Sequence, residues 1–253
     1  MSSTTKSFAG KVVLVTGASK GIGAAIALEF ARQGAAVTVN YASDKAGADR
    51  VVAEITSKGG RAVALKADLS IPSDIEKLFA DSKKAFGRLD VLVNNAGVYE
   101  FSPLDGITPE HFHKQFNVNV LGLLLATREA AKHIGPEGGS VVNISSGIST
   151  ITPPNSAVYA STKASVDAIT QVLSKELAPR KIRVNSINPG MIETEGVRAA
   201  GFHKGEMRAW VEQVTPLGRI GLLEEVAPAV AFFASEHASY ITGETLHITG
   251  GSR

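Results

Sequence analysis

The chain has 253 residues, of which 44% are hydrophobic, 20% charged and 6% aromatic. A chain of that length can withdraw roughly three quarters of its unfolded surface from water on folding, so it needs no disulfide or structural metal. The absence of cysteine excludes Cys-ligated zinc, iron–sulfur clusters and thiol catalysis. With 26 basic and 24 acidic residues the formal charge is +2, and the basic residues are spread along the chain, which argues against a nucleic-acid partner.

The opening MSSTTKSFAGK lacks a long apolar stretch, and the most apolar segment, Val118 to Ala126, is short and is followed by Arg128 and Glu129. No secretory signal and no membrane span are expected, and the default location is cytoplasmic.

In chain order, Lys11 to Thr16 is a short β-branched run ending in glycine, and Ile22 to Gln33 is helical in composition and closes at Gly34. The alternation then repeats. Ala36 to Tyr41 reads as a strand, Lys45 to Lys58 as a helix, Arg61 to Lys66 as a strand and Ser73 to Phe86 as a helix. Further strands are expected at Leu89 to Asn94, Ser140 to Ser145, Arg183 to Asn188 and Thr245 to Thr249, with long helical stretches between them. Strands apolar on nearly both faces and separated by helices predict an α/β fold: a doubly wound, seven-stranded parallel sheet of Rossmann type. No linker or repeat interrupts it, so residues 1 to 253 read as a single domain carrying both cofactor and catalytic functions.

The first strand joins its helix through Thr16-Gly17-Ala18-Ser19-Lys20-Gly21-Ile22-Gly23. Glycines permit a tight turn and close backbone approach, and a helix N-terminus offers free N–H groups to a pyrophosphate. An ordinary glycine-rich turn is the alternative reading. A carboxylate near the end of the second strand would mark an NAD site, but that place reads Asn40-Tyr41-Ala42-Ser43, and Lys20 can pair with a 2′-phosphate. The expectation is therefore NADP, with NADPH preferred over NADH, and Asn40→Asp should move the preference toward NADH. Asp44 lies close by.

Tyr159 and Lys163 are four residues apart on one helix face. An ammonium beside a phenol favours the phenolate and makes it a usable acid/base near neutral pH. Alone, the pair also reads as a half-buried tyrosine and a surface lysine.

Asn94-Asn95-Ala96-Gly97 ends the fourth strand, Asn119 falls in a helix, Ser146 follows the fifth strand and Asn188-Pro189-Gly190 ends the sixth. With TGASKGIG, YASTK, Thr194 after NPG, and PLGRIG at 216 to 221, this ordered set resembles the short-chain dehydrogenase/reductase family over nearly the whole chain. The likeness is to its single-domain branch, and to NADP(H)-dependent ketoreductases and 3-oxoacyl thioester reductases.

The resemblance implies a role for each position. Tyr159 is the general acid in reduction and the base in oxidation, Ser146 hydrogen-bonds the substrate oxygen, Lys163 lowers the phenol pKa and holds the nicotinamide ribose, and Asn119 holds a water in a proton relay. Ser145 competes with Ser146 for the serine role. Gly17, Ser19, Gly21, Ile22 and Gly23 would surround the pyrophosphate and adenosine ribose, Asp68 and Leu69 the adenine, and Asn95, Ala96 and Gly97 the ribose. Pro189, Gly190, Ile192 and Thr194 would border the nicotinamide. Asp68 also reads as a turn carboxylate. Thr249 stands where relatives often carry aspartate. A homotetramer is implied, with one interface at the last strand and its helix and another at the long helices starting near Pro109 and Asn155.

The six histidines are scattered, and His111 and His113 point to different helix faces, so no metal site is expected. Trp210, Phe202 and Met207 belong to a substrate flap or to the core. The function expected is hydride transfer between NADP(H) and a small-molecule carbonyl or secondary alcohol. The apolar loops Val98 to Leu104 and Ile148 to Pro154 suit hydrophobic substrates. The alternatives are an NAD(P)-linked sugar or polyol dehydrogenase and, in another class, a non-catalytic dinucleotide-binding sensor or structural protein.

Overall fold

Seven short strands, each rich in Val, Ile or Leu or in small residues, pair in parallel in the order β3-β2-β1-β4-β5-β6-β7 in the computed structural model. Residues 7–199, 201–202 and 204–252 are described; the first six residues of the opening segment and His203, one of the six histidines, lie outside them. The strands are β1 (Val12–Val15), β2 (Ala36–Tyr41), β3 (Arg61–Lys66), β4 (Val91–Asn94), β5 (Gly139–Ile144), β6 (Ile182–Pro189) and β7 (Thr245–Ile248). Between them run α1 (Gly21–Arg32), α2 (Lys45–Ser57), α3 (Pro72–Phe86), α4 (Pro109–Phe116), α5 (Leu123–His133), the short α6 (Ile148–Ile151), α7 (Ala157–Leu177), α8 (Glu195–Ala199), α9 (Gly205–Val214) and α10 (Leu223–Ala234).

The period-2 pleat sends alternate residues of one strand to opposite layers. Val13 and Val15 pack into a cluster with Ile26, Phe30, Ala48, Val51 and Val230 from α1, α2 and α10, while Leu14 packs with Ile75, Phe79, Ala126 and Ala130 from α3 and α5. Local chemistry sets the helix ends. Asp44 caps α2 by accepting from Gly47 N at 2.9 Å, α3 starts on Pro72 and stops at Gly87, whose φ is +82°, and Thr108 caps α4 ahead of Pro109.

The sheet departs from the sequence expectation in two ways. β3 is the outer strand, so its ends Arg61 and Lys66 are exposed and its middle only half-buried. The centre carries buried amides: Asn94 Nδ2 donates to Asn143 Oδ1 at 2.9 Å and Asn143 Nδ2 to Thr170 Oγ1 at 2.9 Å, which ties β4, β5 and α7 at their carboxyl ends. The chain passes from β3 at one edge back to β4 beside β1. That reversal opens a crevice at the carboxyl ends of β1 and β4, where such sheets bind ligands.

Among the described residues, no helix is long and apolar enough to cross a membrane.

Candidate active site

The glycine turn is built against β4. Thr16 Oγ1 accepts from the backbone N–H groups of Asn95 and Ala96 at 2.9 and 3.0 Å, and Asn95 Nδ2 donates to the carbonyls of Thr16 and Gly17 at 2.9 and 3.0 Å. A Cβ on Gly17 would lie 2.9 Å from Ala96 Cα with φ at +60°, and one on Gly23 would lie 2.4 Å from both Asn95 Nδ2 and Gly17 O. The first and third glycines therefore serve close packing of the turn on the sheet.

Gly21 differs. Its N–H opens α1 and donates to Glu195 Oε2 at 3.0 Å, so the site already accommodates an anionic oxygen where a pyrophosphate would be held. Lys20 is exposed beside it. Ser19 follows the turn, and its carbonyl would lie 2.6 Å from a Cβ on Gly47, so α2 starts directly beneath.

Asn40 does not face this crevice, contrary to the sequence expectation. Its side chain is fully buried; Oδ1 accepts from Gly17 N at 3.1 Å, and Nδ2 donates to the carbonyls of Leu65 and Ala67 at 3.3 and 3.2 Å. The amide braces the turn from behind. Tyr41 is buried, whereas Ala42 and Ser43 are exposed past the strand end. The Asp44 carboxylate is engaged in capping α2. Asp68 Oδ1 accepts from both Ser70 N and Ser70 Oγ, at 2.8 and 2.7 Å, in a tight turn, and Leu69 is buried.

Tyr159 lies in the first turn of α7, with Lys163 one turn further on. Lys163 is buried, its Nζ donates to Ile144 O at 2.9 Å and stands 5.9 Å from the centroid of the Tyr159 ring. Burial lowers the Lys163 ammonium to about 8, an effect that Asp167 opposes. The phenol behaves opposite to the expectation. Burial pushes Tyr159 up to about 12, against a downward pull from the Ser146 hydroxyl. Removing a would-be phenolate from water is the larger effect.

Ser145 and Ser146 part company at the end of β5. Ser145 Oγ is buried and donates to Lys163 O at 3.1 Å, whereas Ser146 stands beside the phenol and its Oγ accepts from Ile148 N at 3.2 Å. Asn119 lies in a π-helical turn, Asn117–Gly122, between α4 and α5, a geometry the sequence pattern does not distinguish from ordinary helix. A Cβ on Gly122 would lie 2.5 Å from Leu69 O, so the turn runs hard against the loop after β3. The Asn119 amide clamps Val98, accepting from its N–H and donating to its carbonyl at 2.8 Å each, and also donates to Thr162 Oγ1 at 3.1 Å. A Cβ on Gly97 would meet Asn119 Oδ1 at 3.3 Å and Lys163 Nζ at 3.7 Å, so glycine keeps the space before the lysine open.

On the far side, Gly190 N donates to Ile248 O at 2.9 Å, and Gly147 N to Pro189 O at 2.8 Å. Thr249 fits beneath both loops: its Cα would lie 3.0 Å from a Cβ on Gly190, and its methyl 3.0 Å from one on Gly147. Ile192 is buried and bridges Gly221. Thr194 Oγ1 accepts from Val197 N at 3.1 Å, and its methyl faces Gly21.

Sequence reasoning missed two features. Glu195 reaches the glycine turn across 174 residues, a meeting that only the tertiary fold creates. The rings of Tyr99 and Phe101 stand 6.0 and 6.1 Å from that of Tyr159 and are about half exposed; their loop was legible as apolar, but its aim was not. Trp210 and Met207 on α9 are exposed and do not form core.

Comparison with known proteins agrees with this geometry. A family model described as enoyl-(acyl carrier protein) reductase matches residues 17–253. An uncharacterized oxidoreductase of Methylorubrum extorquens is 54% identical, over 96% of this chain and 98% of its own. The 3beta-hydroxysteroid dehydrogenase 1 of Eggerthella lenta is 41% identical, over 96% and 93%. A crystal structure of a short chain dehydrogenase from Burkholderia cenocepacia in complex with NADP superposes with a TM-score of 0.92 at 36% identity, covering 97% of this chain and 99% of that one. A family match along nearly the whole chain, on a sheet whose crevice gathers a glycine turn, a serine and a Tyr–Lys pair, identifies the protein as a single-domain member of the short-chain dehydrogenase/reductase family, an oxidoreductase acting on carbonyl and alcohol groups.

Proposed function

We propose that the protein is an NADPH-linked ketoreductase that reduces a hydrophobic ketone to a secondary alcohol within one domain, as a cytoplasmic homotetramer. The observation that carries the reading is the meeting of Tyr159 with Ser146 and the buried Lys163 at the crevice; the phenol, raised by burial to about 12, stands protonated at neutral pH and ready to act as an acid.

Gly21 N–H, with Ser19, Ile22 and Lys20, would hold the phosphates, and Asp68 and Leu69 would border the adenine. Ala42, Ser43 and Lys20 would meet the 2′-phosphate, a choice favoured because Asp44 is committed to its helix cap and no other carboxylate stands at that strand end. Asn95 and Ala96 would act through the turn they brace, while Gly97 leaves room for the ribose before Lys163. Pro189, Gly190, Ile192 and Thr194 would border the nicotinamide. When bound, the dinucleotide supplies hydride to the carbonyl carbon.

Ser146 would donate to the carbonyl oxygen and Tyr159 would give it a proton as negative charge develops there. Lys163, cationic below about 8, would stabilise the phenolate that remains. The Asn119 amide is taken up by Val98 and Thr162, so any water on the return path of the proton would rest on its main-chain carbonyl.

The half-exposed rings of Tyr99 and Phe101 favour a flat hydrophobic ketone over a sugar or polyol, in keeping with the steroid named for the Eggerthella lenta relative. The test is a panel of ketones and alcohols followed by absorbance of reduced nicotinamide, with both cofactors and with Tyr159→Phe as control. Turnover of hydrophobic ketones with a higher kcat/KM for NADPH than NADH is expected. Preference for NADH, turnover of sugars alone, or parent-like turnover by the variant would overturn the corresponding part of the reading.

A further inference from the structure

Behind Lys163 and Ser146 lies a second polar layer. Asp167 follows Lys163 by one turn on α7 and is half-buried. Its carboxylate faces Asn188, which is fully buried near the end of β6: Asn188 Nδ2 lies 3.1 Å from each Asp167 oxygen. The same nitrogen lies 3.3 Å from Ser146 O and 3.2 Å from Ser149 Oγ. Asn188 Oδ1 accepts from Ser186 Oγ at 2.8 Å, which fixes the amide with its NH2 toward the carboxylate and the serine loop. Two hydrogens serve both directions, one to Asp167 and one to the loop carrying Ser146.

We propose that Asp167, clamped by Asn188, is a positioning residue that keeps the buried Lys163 side chain cationic and, through the shared amide, anchors the loop that presents Ser146. This rests on the reading of Lys163 and Ser146 given above. A buried ammonium held by one backbone carbonyl, that of Ile144, needs an opposing charge. Among the described groups around it, Asp167 is the carboxylate. Tyr159 and Asp167 lie one turn either side of it on α7, β5 offers the Ile144 carbonyl, and Gly97 after β4 and the Asn117–Gly122 turn offer neutral groups. A carboxylate one turn along the helix supplies the charge without touching the substrate cleft.

The test uses the full chain without added dinucleotide. Lysine resonances are followed by NMR across pH, with Lys163 assigned through Lys163→Arg, in the parent, Asp167→Asn and Asp167→Glu. Asp167→Asn retains an oxygen for the Asn188 amide and is expected to lower the Lys163 titration midpoint by about one pH unit or more, with recovery in Asp167→Glu. In turnover, the loss of ketone reduction at rising pH should move down by a similar amount in Asp167→Asn, with little change in KM. Asn188→Ala, which keeps the carboxylate but frees the serine loop, should reduce kcat roughly ten- to hundred-fold.

A parent-like midpoint in folded Asp167→Asn would overturn the electrostatic half, and parent-like kcat in Asn188→Ala the anchoring half. Should Asp167→Asn not fold, Asp167→Ser takes its place: a lowered Lys163 midpoint supports the electrostatic half and a parent-like one overturns it. A shifted midpoint in a protein that reduces no ketone would uphold the electrostatic role of Asp167 and reject the ketoreductase reading, so the two fail separately.

Discussion

Tyr159 and Lys163 are both shifted by burial, in opposite directions: the phenol rises to about 12 and the ammonium falls to about 8. A protonated phenol is the form a reductase needs, so Tyr159→Phe should lower ketone reduction by about 10²- to 10⁴-fold while NADPH binding, read by fluorescence titration, stays close to the parent. The pH dependence follows with a definite sign. Below about 8 Lys163 carries charge and supports the phenolate left after proton transfer; above it that support is withdrawn. Reductive kcat/KM should hold at neutral pH and fall as pH rises through about 8, and a profile that stays flat well into the alkaline range would contradict it. Spacing put Tyr159 and Lys163 on one helix face and the family resemblance pointed to Ser146, but the direction of the phenol shift depends on burial by groups brought up from elsewhere in the chain, the rings of Tyr99 and Phe101 among them, which no local pattern encodes. Asn40 shows the same limit. Strand position suggested a ribose contact, yet three backbone groups around it consume its amide. Asn40→Asp leaves the Leu65 and Ala67 carbonyls without their donor and should cost about 1–3 kcal/mol in chemical denaturation, without a switch of cofactor.

The βα elements were readable because hydrophobic runs, caps and glycine stops agree with one another. Ala36–Tyr41 and Arg61–Lys66 coincide with the sequence reading, whereas helix ends moved by a residue or two, as terminal turns do. The π-helical turn at Asn117–Gly122 was not readable, because its residues carry no pattern that separates it from ordinary helix. Nor was the docking of α8 on the glycine turn. That docking has a consequence for binding: the Glu195 carboxylate occupies the Gly21 N–H, so a phosphate must displace a like-charged competitor from the positive end of α1. Glu195→Gln keeps the side chain's size and removes the charge. NADPH should bind about two- to five-fold more tightly in a fluorescence titration at low salt, with the difference shrinking at high salt; equal affinity at low salt would mean that the carboxylate yields at no cost.

At the scale of the molecule, some of the apolar side chains left outside the two core layers fall on the regions where the family resemblance puts subunit interfaces. Phe112 on α4, Leu121 in the π turn and Val172 on α7 are exposed along the long helices, and Phe112 stacks on Phe116 at 4.2 Å. Phe232 on α10, Tyr240 in the segment before β7 and Leu246 on β7 are exposed as well, Tyr240 completely. Scattered apolar residues are ordinary on a surface, but two groups on elements at separate places in the fold suit two independent isologous interfaces, and two such interfaces close a tetramer. β7 is also an edge strand, with one flank unpaired in a single chain, a liability that a neighbouring copy would cover. Light scattering should therefore give a four-chain mass at micromolar concentration. Placing a charge in one group, by Val172→Glu, and in the other, by Leu246→Glu, should each yield dimers, because burying an unpaired carboxylate twice per two-fold interface costs more than the surrounding apolar packing contributes. The double variant should be monomeric. A monomeric parent would remove the explanation for both exposed groups, and a tetramer that survives both substitutions would mean that its interfaces lie elsewhere.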